Sequence, residues 1–153
     1  MANITTDIKF PAYIVQSWIS LLKDPTKNDT ALRIARFLEE QAALSVVHYP
    51  GLASSSGHAR ATELFEGFGG MLSFDFTDGL PAALRFLQRL TIPLEAVSLG
   101  GVESLVIRPA VTAYANVAPQ DRRRLGVTDS LVRLSVGIED PDELVEDLRN
   151  ALA

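Results

Sequence analysis

The chain has 153 residues, 47% of them hydrophobic, with a formal net charge of −5 and no cysteine. This is the length of one ordinary domain with room for a packed core, and not the composition of a disordered segment. The acidic balance argues against a nucleic-acid surface, because Arg122-Arg123-Arg124 is the one basic run and reads as a solvated helix face; the missing thiols exclude disulfides, thiolate metal sites and a cysteine nucleophile.

Residues 1–9 are polar and carry no signal-peptide pattern. No apolar stretch reaches the roughly 18 residues a membrane helix needs, so a cytoplasmic location without membrane contact is expected. Phe10-Pro11 opens a helix in which Ile14, Val15, Trp18, Ile19, Leu21 and Leu22 cover more than one stripe. A helix apolar nearly all round is buried on several sides, so residues 12–22 should meet a partner chain or a second copy. Residues 1–27 thus read as an N-terminal segment with an interface helix, and 28–153 as the domain proper.

A second helix is expected over 28–43, capped by Asn28 or Asp29, with Ala31, Ile34, Ala35 and Leu38 on one stripe. A strand over 46–49 follows, closed by Pro50-Gly51. His58 to Glu66 reads as a short helix, Gly67-Phe68-Gly69-Gly70 as a turn, and Met71 to Thr77 as a strand. Pro81 to Leu90 is a helix with Leu84, Leu87 and Leu90 inward. A strand is expected over 95–98, ending in Leu99-Gly100-Gly101. Residues 103–118 carry no clear pattern. Pro119 to Leu125 is a short helix and 131–136 a strand. The last helix has Asp140 as cap, Pro141 in its first turn, and Leu144, Val145, Leu148 and Leu152 facing in. The sum is an α+β fold: a small, mostly antiparallel sheet of about four strands with helices packed on one face.

The strand at 131–136 holds the residue of most chemical interest. Val132, Leu134 and Val136 alternate with Leu131, Arg133 and Ser135. An arginine in so apolar a strand is costly unless something anionic meets it. It either pairs with a structural Asp or Glu or reaches solvent at a sheet edge, structural pairing being the commoner use of such a residue, or grips a ligand carboxylate with two parallel hydrogen bonds. The other candidates are weaker. His48 and His58 are too few and too isolated for a metal site. The glycine turn at 67–70 leads into a strand rather than a helix, which does not suit a phosphate loop. Ser98 has no nearby histidine to activate it, so a hydrogen bond is its expected role. Asp142, Glu143, Glu146 and Asp147 form an acidic helix start that complements the helix dipole.

Four segments in order carry a resemblance: Val47-His48-Tyr49-Pro50-Gly51-Leu52, Gly67 to Phe74, Val97 to Leu105, and Leu131 to Asp140. Together they resemble the C-terminal, small domain of the pyridoxal-phosphate-dependent enzymes of cysteine and methionine metabolism. That family includes cystathionine γ-synthase, cystathionine lyases, methionine γ-lyase and the O-acetylhomoserine sulfhydrylases. The resemblance implies that Arg133 holds the substrate α-carboxylate. It implies that Ser98, flanked by Val97 and Leu99, lines the site beside the cofactor-linked lysine, and Val97 looks more like methionine γ-lyase or the sulfhydrylases than like enzymes acting on cystathionine.

The sequence also departs from the family. The family's large N-terminal domain, with the Schiff-base lysine, the pyridine-facing aspartate and the phosphate-binding residues, is not read in these 153 residues. Lys9, Lys23 and Lys27 are the only lysines, and none of them replaces the family's; Thr26-Lys27 echoes the family's Ser-x-Thr-Lys in the wrong region. Gln16-Ser17-Trp18 stands where an Arg-Gly pair is usual, and Thr112-Ala113-Tyr114 where Met-Thr-His is common. The expectation is the small domain of a lyase or transferase of sulfur amino acid metabolism, inactive alone. A partner chain would hold pyridoxal phosphate, an amino acid would be the substrate, and this chain alone would bind neither cofactor nor metal. The alternatives are a non-catalytic binding or regulatory module derived from the family, and a self-associating orphan domain.

Overall fold

The computed structural model describes residues 25–153. The interface helix expected at 12–22 and the substitutions at 16–18 lie outside the described residues.

The first described helix, α1, runs Pro25–Glu39, not 28–43. Pro25 suits a first-turn position because its missing N–H is unneeded there. The expected stripe is present: Ala31, Ile34, Ala35 and Leu38 are fully buried. Strand β1 (Leu44–His48) follows, then α2 (His58–Leu64), β2 (Met71–Phe76) and α3 (Gly79–Arg89). The α3 stripe is displaced from the expected one. Ala83 and Phe86 are buried, Leu87 and Leu90 are partly buried against the core, and Leu84 faces outward. Next come β3 (Leu94–Glu95), β4 (Leu105–Ile107), a 3-10 turn (Pro109–Val111) and α4 (Pro119–Arg124). Strand β5 (Val132–Ser135) and α5 (Pro141–Leu152) complete the chain.

The sheet has five strands in the order β1-β2-β5-β4-β3, one more than expected. Three pairings are antiparallel, but β3 and β4 are parallel. The additional strand β4 lies in the stretch without pattern. A three-residue run buried at every position, Leu105-Val106-Ile107, has no alternation to read. The strand expected at 95–98 stops at Glu95, so Ser98 lies in a loop. That loop has a topological cause: two parallel neighbours need a return connection, and residues 96–104 supply it.

Alternation along β2 and β5 sorts the two faces. Leu72, Phe74, Phe76, Val132, Leu134 and Val136 meet α1, α3 and α5 in the main core. Phe86 of α3 stands edge-on to Phe74 with ring centroids 5.5 Å apart. Ser73, Arg133 and Ile107 are paired across β2, β5 and β4 and share the other face. A smaller cluster of Ala110, Val127 and Leu131 has Tyr114, of the Thr112-Ala113-Tyr114 segment, packed against it, while Ala113 is exposed. The arginine triplet is only partly a solvated face. Arg122 is buried, with Nη1 donating to the Ala110 carbonyl at 3.1 Å and an ion pair to Asp129, while Arg123 and Arg124 are exposed. No helix among the described residues is long and apolar enough to cross a membrane.

Candidate functional site

Arg133 lies on β5, the middle strand of the sheet. It is 7% exposed, and its Nη2 donates to the Ser98 carbonyl oxygen at 2.7 Å. The strand-borne arginine and the Ser98 loop, separate in sequence, are thus brought into contact. Ser98 takes part through its backbone: its carbonyl accepts from Arg133, and its N–H donates to the Ala96 carbonyl at 2.9 Å. Val97 is 71% exposed and Leu99 half-buried, so the loop presents apolar side chains on both sides of Ser98.

The loop is tied down along its length. Gly100 adopts a φ of +77°, which a side chain would strain, and its N–H donates to Ser135 Oγ at 3.1 Å. Lys27, from the first turn of α1, sends Nζ to the carbonyls of Gly100 at 3.3 Å and Gly101 at 2.5 Å. Ser104 closes the far end. Its N–H and hydroxyl donate to the two carboxylate oxygens of Glu139 at 2.5 and 2.8 Å, and its Oγ accepts from the Gly137 N–H at 2.9 Å. Ile138 N–H donates to the Val102 carbonyl at 2.9 Å. A Cβ on Gly137 would collide with the Val102 carbonyl oxygen and lie 2.6 Å from the Glu103 carbonyl carbon, so glycine there lets the loop and the end of β5 touch backbone to backbone.

The neighbouring glycine turn is held from the same helix. Asn28 does not cap α1; its Oδ1 accepts from the N–H groups of Phe68 at 2.5 Å and Gly69 at 3.0 Å. The buried Tyr49 hydroxyl donates to the Gly69 carbonyl at 2.8 Å. Burial raises the Tyr49 pKa well above its ordinary value, and the nearby Asp29 charge adds to the effect. This fits the expectation of tight backbone geometry at 67–70 rather than a phosphate loop.

The two histidines stand apart. His48 is paired with Ser73 across β1 and β2, and burial lowers its pKa, with the Asp75 carboxylate opposing. His58 uses Nδ1 to donate to the Pro50 carbonyl at 2.7 Å, and its ring lies 5.5 Å from that of Phe68. No group of three or more His, Cys, Asp or Glu among the described residues is placed to hold a metal ion. A cavity of about 450 Å³ opens along β1 beside Ser54, Ser55 and Ser56, and neither Arg133 nor Ser98 lines it.

Lys27, Ser135, Ser104 and Glu139 are the loop-holding residues that the sequence reading missed. Glu139 lies inside one of the segments that carried the resemblance, but its partner Ser104 belongs to another, and nothing in either segment announces the pairing.

A family profile described as Cys/Met metabolism PLP-dependent enzyme matches residues 22–153. A cystathionine beta-lyase from Lactococcus lactis subsp. cremoris is 41% identical over 143 residues, covering 92% of this chain and 37% of that protein. An L-methionine gamma-lyase from Pseudomonas putida is 40% identical over 119 residues, or 78% of this chain and 30% of that one. A solved structure of a cystathionine gamma lyase from Micromonospora echinospora aligns with a TM-score of 0.77 and 41% identity, over 83% of this chain and 33% of that chain. The chain spans about a third of the length of the relatives it matches. By the extent of the profile match and of these identities, the chain belongs to the pyridoxal-phosphate-dependent enzymes of Cys/Met metabolism.

Proposed function

We propose that residues 25–153 act as the C-terminal, small domain of a pyridoxal-phosphate lyase or transferase of sulfur amino acid metabolism. Arg133 orients the α-carboxylate of the amino-acid substrate, and Val97, Ser98 and Leu99 shape the wall beside it. The observation that carries the reading is the Arg133 guanidinium fixed on the Ser98 carbonyl from a central strand. A backbone acceptor at one corner sets the plane of the fork, and a carboxylate is recognised by paired N–H donors in that plane. The exposed Val97 favours an apolar-chain substrate of the methionine γ-lyase or sulfhydrylase type over cystathionine.

Pyridoxal phosphate, when bound, supplies the electron sink of the reaction. The described residues do not fit a covalent seat for it. Lys27 is the one lysine among them, and its amine already serves the Gly100 and Gly101 carbonyls. In this reading the cofactor and its lysine belong to a large domain beyond the described residues, on a partner chain or in the rest of a longer one. The exposed Val102 and Ile138, at 65% and 54%, support a covering partner beside the loop.

Isolation of this protein from its native cells tests the reading, with the recovered polypeptides identified by mass spectrometry. Recovery of a large-domain polypeptide that borohydride labels with pyridoxal phosphate is expected. Borohydride trapping of the cofactor on Lys27 of the purified 153-residue chain would contradict it. The low exposure of Arg133 favours a second reading, a non-catalytic module in which the arginine braces the loop. Arg133→Lys separates the two: a loss of amino-acid affinity with stability kept supports the clamp, and a large loss of stability supports the brace.

A further inference from the structure

Lys27 is placed where a lysine is costly. It is 5% exposed, and it sits in the first turn of α1, where the helix dipole disfavours a positive charge. What offsets that cost is visible: two consecutive carbonyls, of Gly100 and Gly101, converge on Nζ. The stem is guided as closely as the head. A Cβ on Gly70 would lie 3.2 Å from Lys27 Cβ, so glycine at that position leaves the track along which the lysine reaches the loop. Gly70 is itself fixed, its carbonyl accepting from the Val136 N–H at 2.8 Å at the end of β5.

We propose that Lys27 is a positioning residue: by binding the Gly100 and Gly101 carbonyls it fixes the turn whose Ser98 carbonyl orients Arg133, and so sets the carboxylate-gripping geometry from α1. The sequence of contacts is short and directional. Nζ holds Gly101 and Gly100, Gly100 N–H holds Ser135 Oγ, and two residues earlier the Ser98 carbonyl holds Arg133 Nη2. Ser135 and Arg133 project from the same face of β5, so the loop is docked on that strand at two points, and the lysine closes its outer side. A charge-assisted hydrogen bond from an ammonium is stronger than a neutral one, which suits a contact that must hold a glycine-rich turn. The role in substrate binding rests on the carboxylate-clamp reading above; the restraint on the loop does not.

The test is hydrogen exchange followed by NMR on the whole chain, at the Gly100 amide and the Arg133 guanidinium protons, in Lys27→Met and Lys27→Arg. Methionine keeps the volume and removes the donor. Exchange at both sites should quicken by roughly tenfold or more in Lys27→Met, while core amides of β2 and β5 keep their protection. Lys27→Arg, which retains a donor, should restore most of the loss. Unchanged exchange at Gly100 and Arg133 in a folded Lys27→Met overturns the proposal. Should that variant fail to fold, Gly70→Ala crowds the lysine stem and must itself quicken exchange at Gly100; protection equal to the wild type overturns the proposal there. No ligand enters this experiment. Its failure therefore leaves the carboxylate reading standing, whereas an Arg133→Ala protein that binds L-methionine as the wild type does overturns that reading and leaves the loop restraint intact.

Discussion

Ser73 faces the same side of the sheet as Arg133, and its buried hydroxyl has no hydrogen-bond partner among the described residues. A buried orphan hydroxyl forfeits its hydration, a cost of about 1–3 kcal/mol. Ser73→Ala should therefore be neutral or raise stability by about 1 kcal/mol, read as a higher urea midpoint at unchanged slope. A fall of that size would mean the hydroxyl has a partner in solution. Arg133 itself was legible, because an arginine alternating with Leu and Val on a strand stands out. What it touches was not. The Ser98 carbonyl is a backbone atom, and no residue type at position 98 announces that its main chain is the acceptor. Lys27 was hidden for a related reason: its partners are the carbonyls of two glycines far along the sequence, and sequence patterns record side chains.

At the scale of elements, the connection from α3 to β3 depends on one carboxylate. Asp147 on α5 is buried and accepts from the N–H groups of Thr91 and Ile92, each at 3.1 Å, and from Thr91 Oγ1 at 2.5 Å. The acidic start of α5 is thus not uniform. Asp140 caps the helix, accepting from the N–H groups of Asp142 and Glu143, Asp142 pairs with Arg33 of α1, and Asp147 staples a neighbouring loop. Asp147→Ala leaves two backbone donors without their acceptor and should cost about 2–3 kcal/mol in chemical denaturation. Glu146→Ala, which removes only an exposed pair with Arg149, should stay within about 0.5 kcal/mol. Equal losses would refute the staple. Periodicity revealed α1 and α5 because their apolar stripes are long. It misplaced the α3 stripe, since Leu84 and Phe86 compete for the inner face and the aromatic ring wins by packing on Phe74 and Phe76. It missed β4 because three residues cannot show a period.

For the whole molecule, a half-buried histidine and a buried tyrosine contribute to the pH dependence of stability. His48 has a lowered pKa, so the folded state favours the neutral ring. Its contribution is complete above its ordinary value of 6.5 and is lost as pH falls below that value toward and through the lowered folded pKa. Tyr49 has a raised pKa, so its contribution is complete below its ordinary value of 10.0 and erodes as pH rises beyond it. Thermal melts should therefore show highest stability between these limits. His48→Gln should flatten the acid side of that profile and Tyr49→Phe the alkaline side; a profile unchanged in both variants would contradict the burial argument. At this scale the family was legible from four ordered segments, and the profile match and relatives agree with it. The number of strands and the parallel β3–β4 pair were not legible, because strand order depends on contacts distant in sequence.

The most direct test of the central claim is calorimetric titration of L-methionine into the protein isolated with its partners from native cells, as wild type and as Arg133→Lys. Lysine keeps the charge and loses the planar fork. The account predicts a loss of affinity of about tenfold or more, with the melting temperature held within a few degrees. Equal affinity in the two proteins would contradict it, and Arg133 would then serve the Ser98 loop and not a substrate.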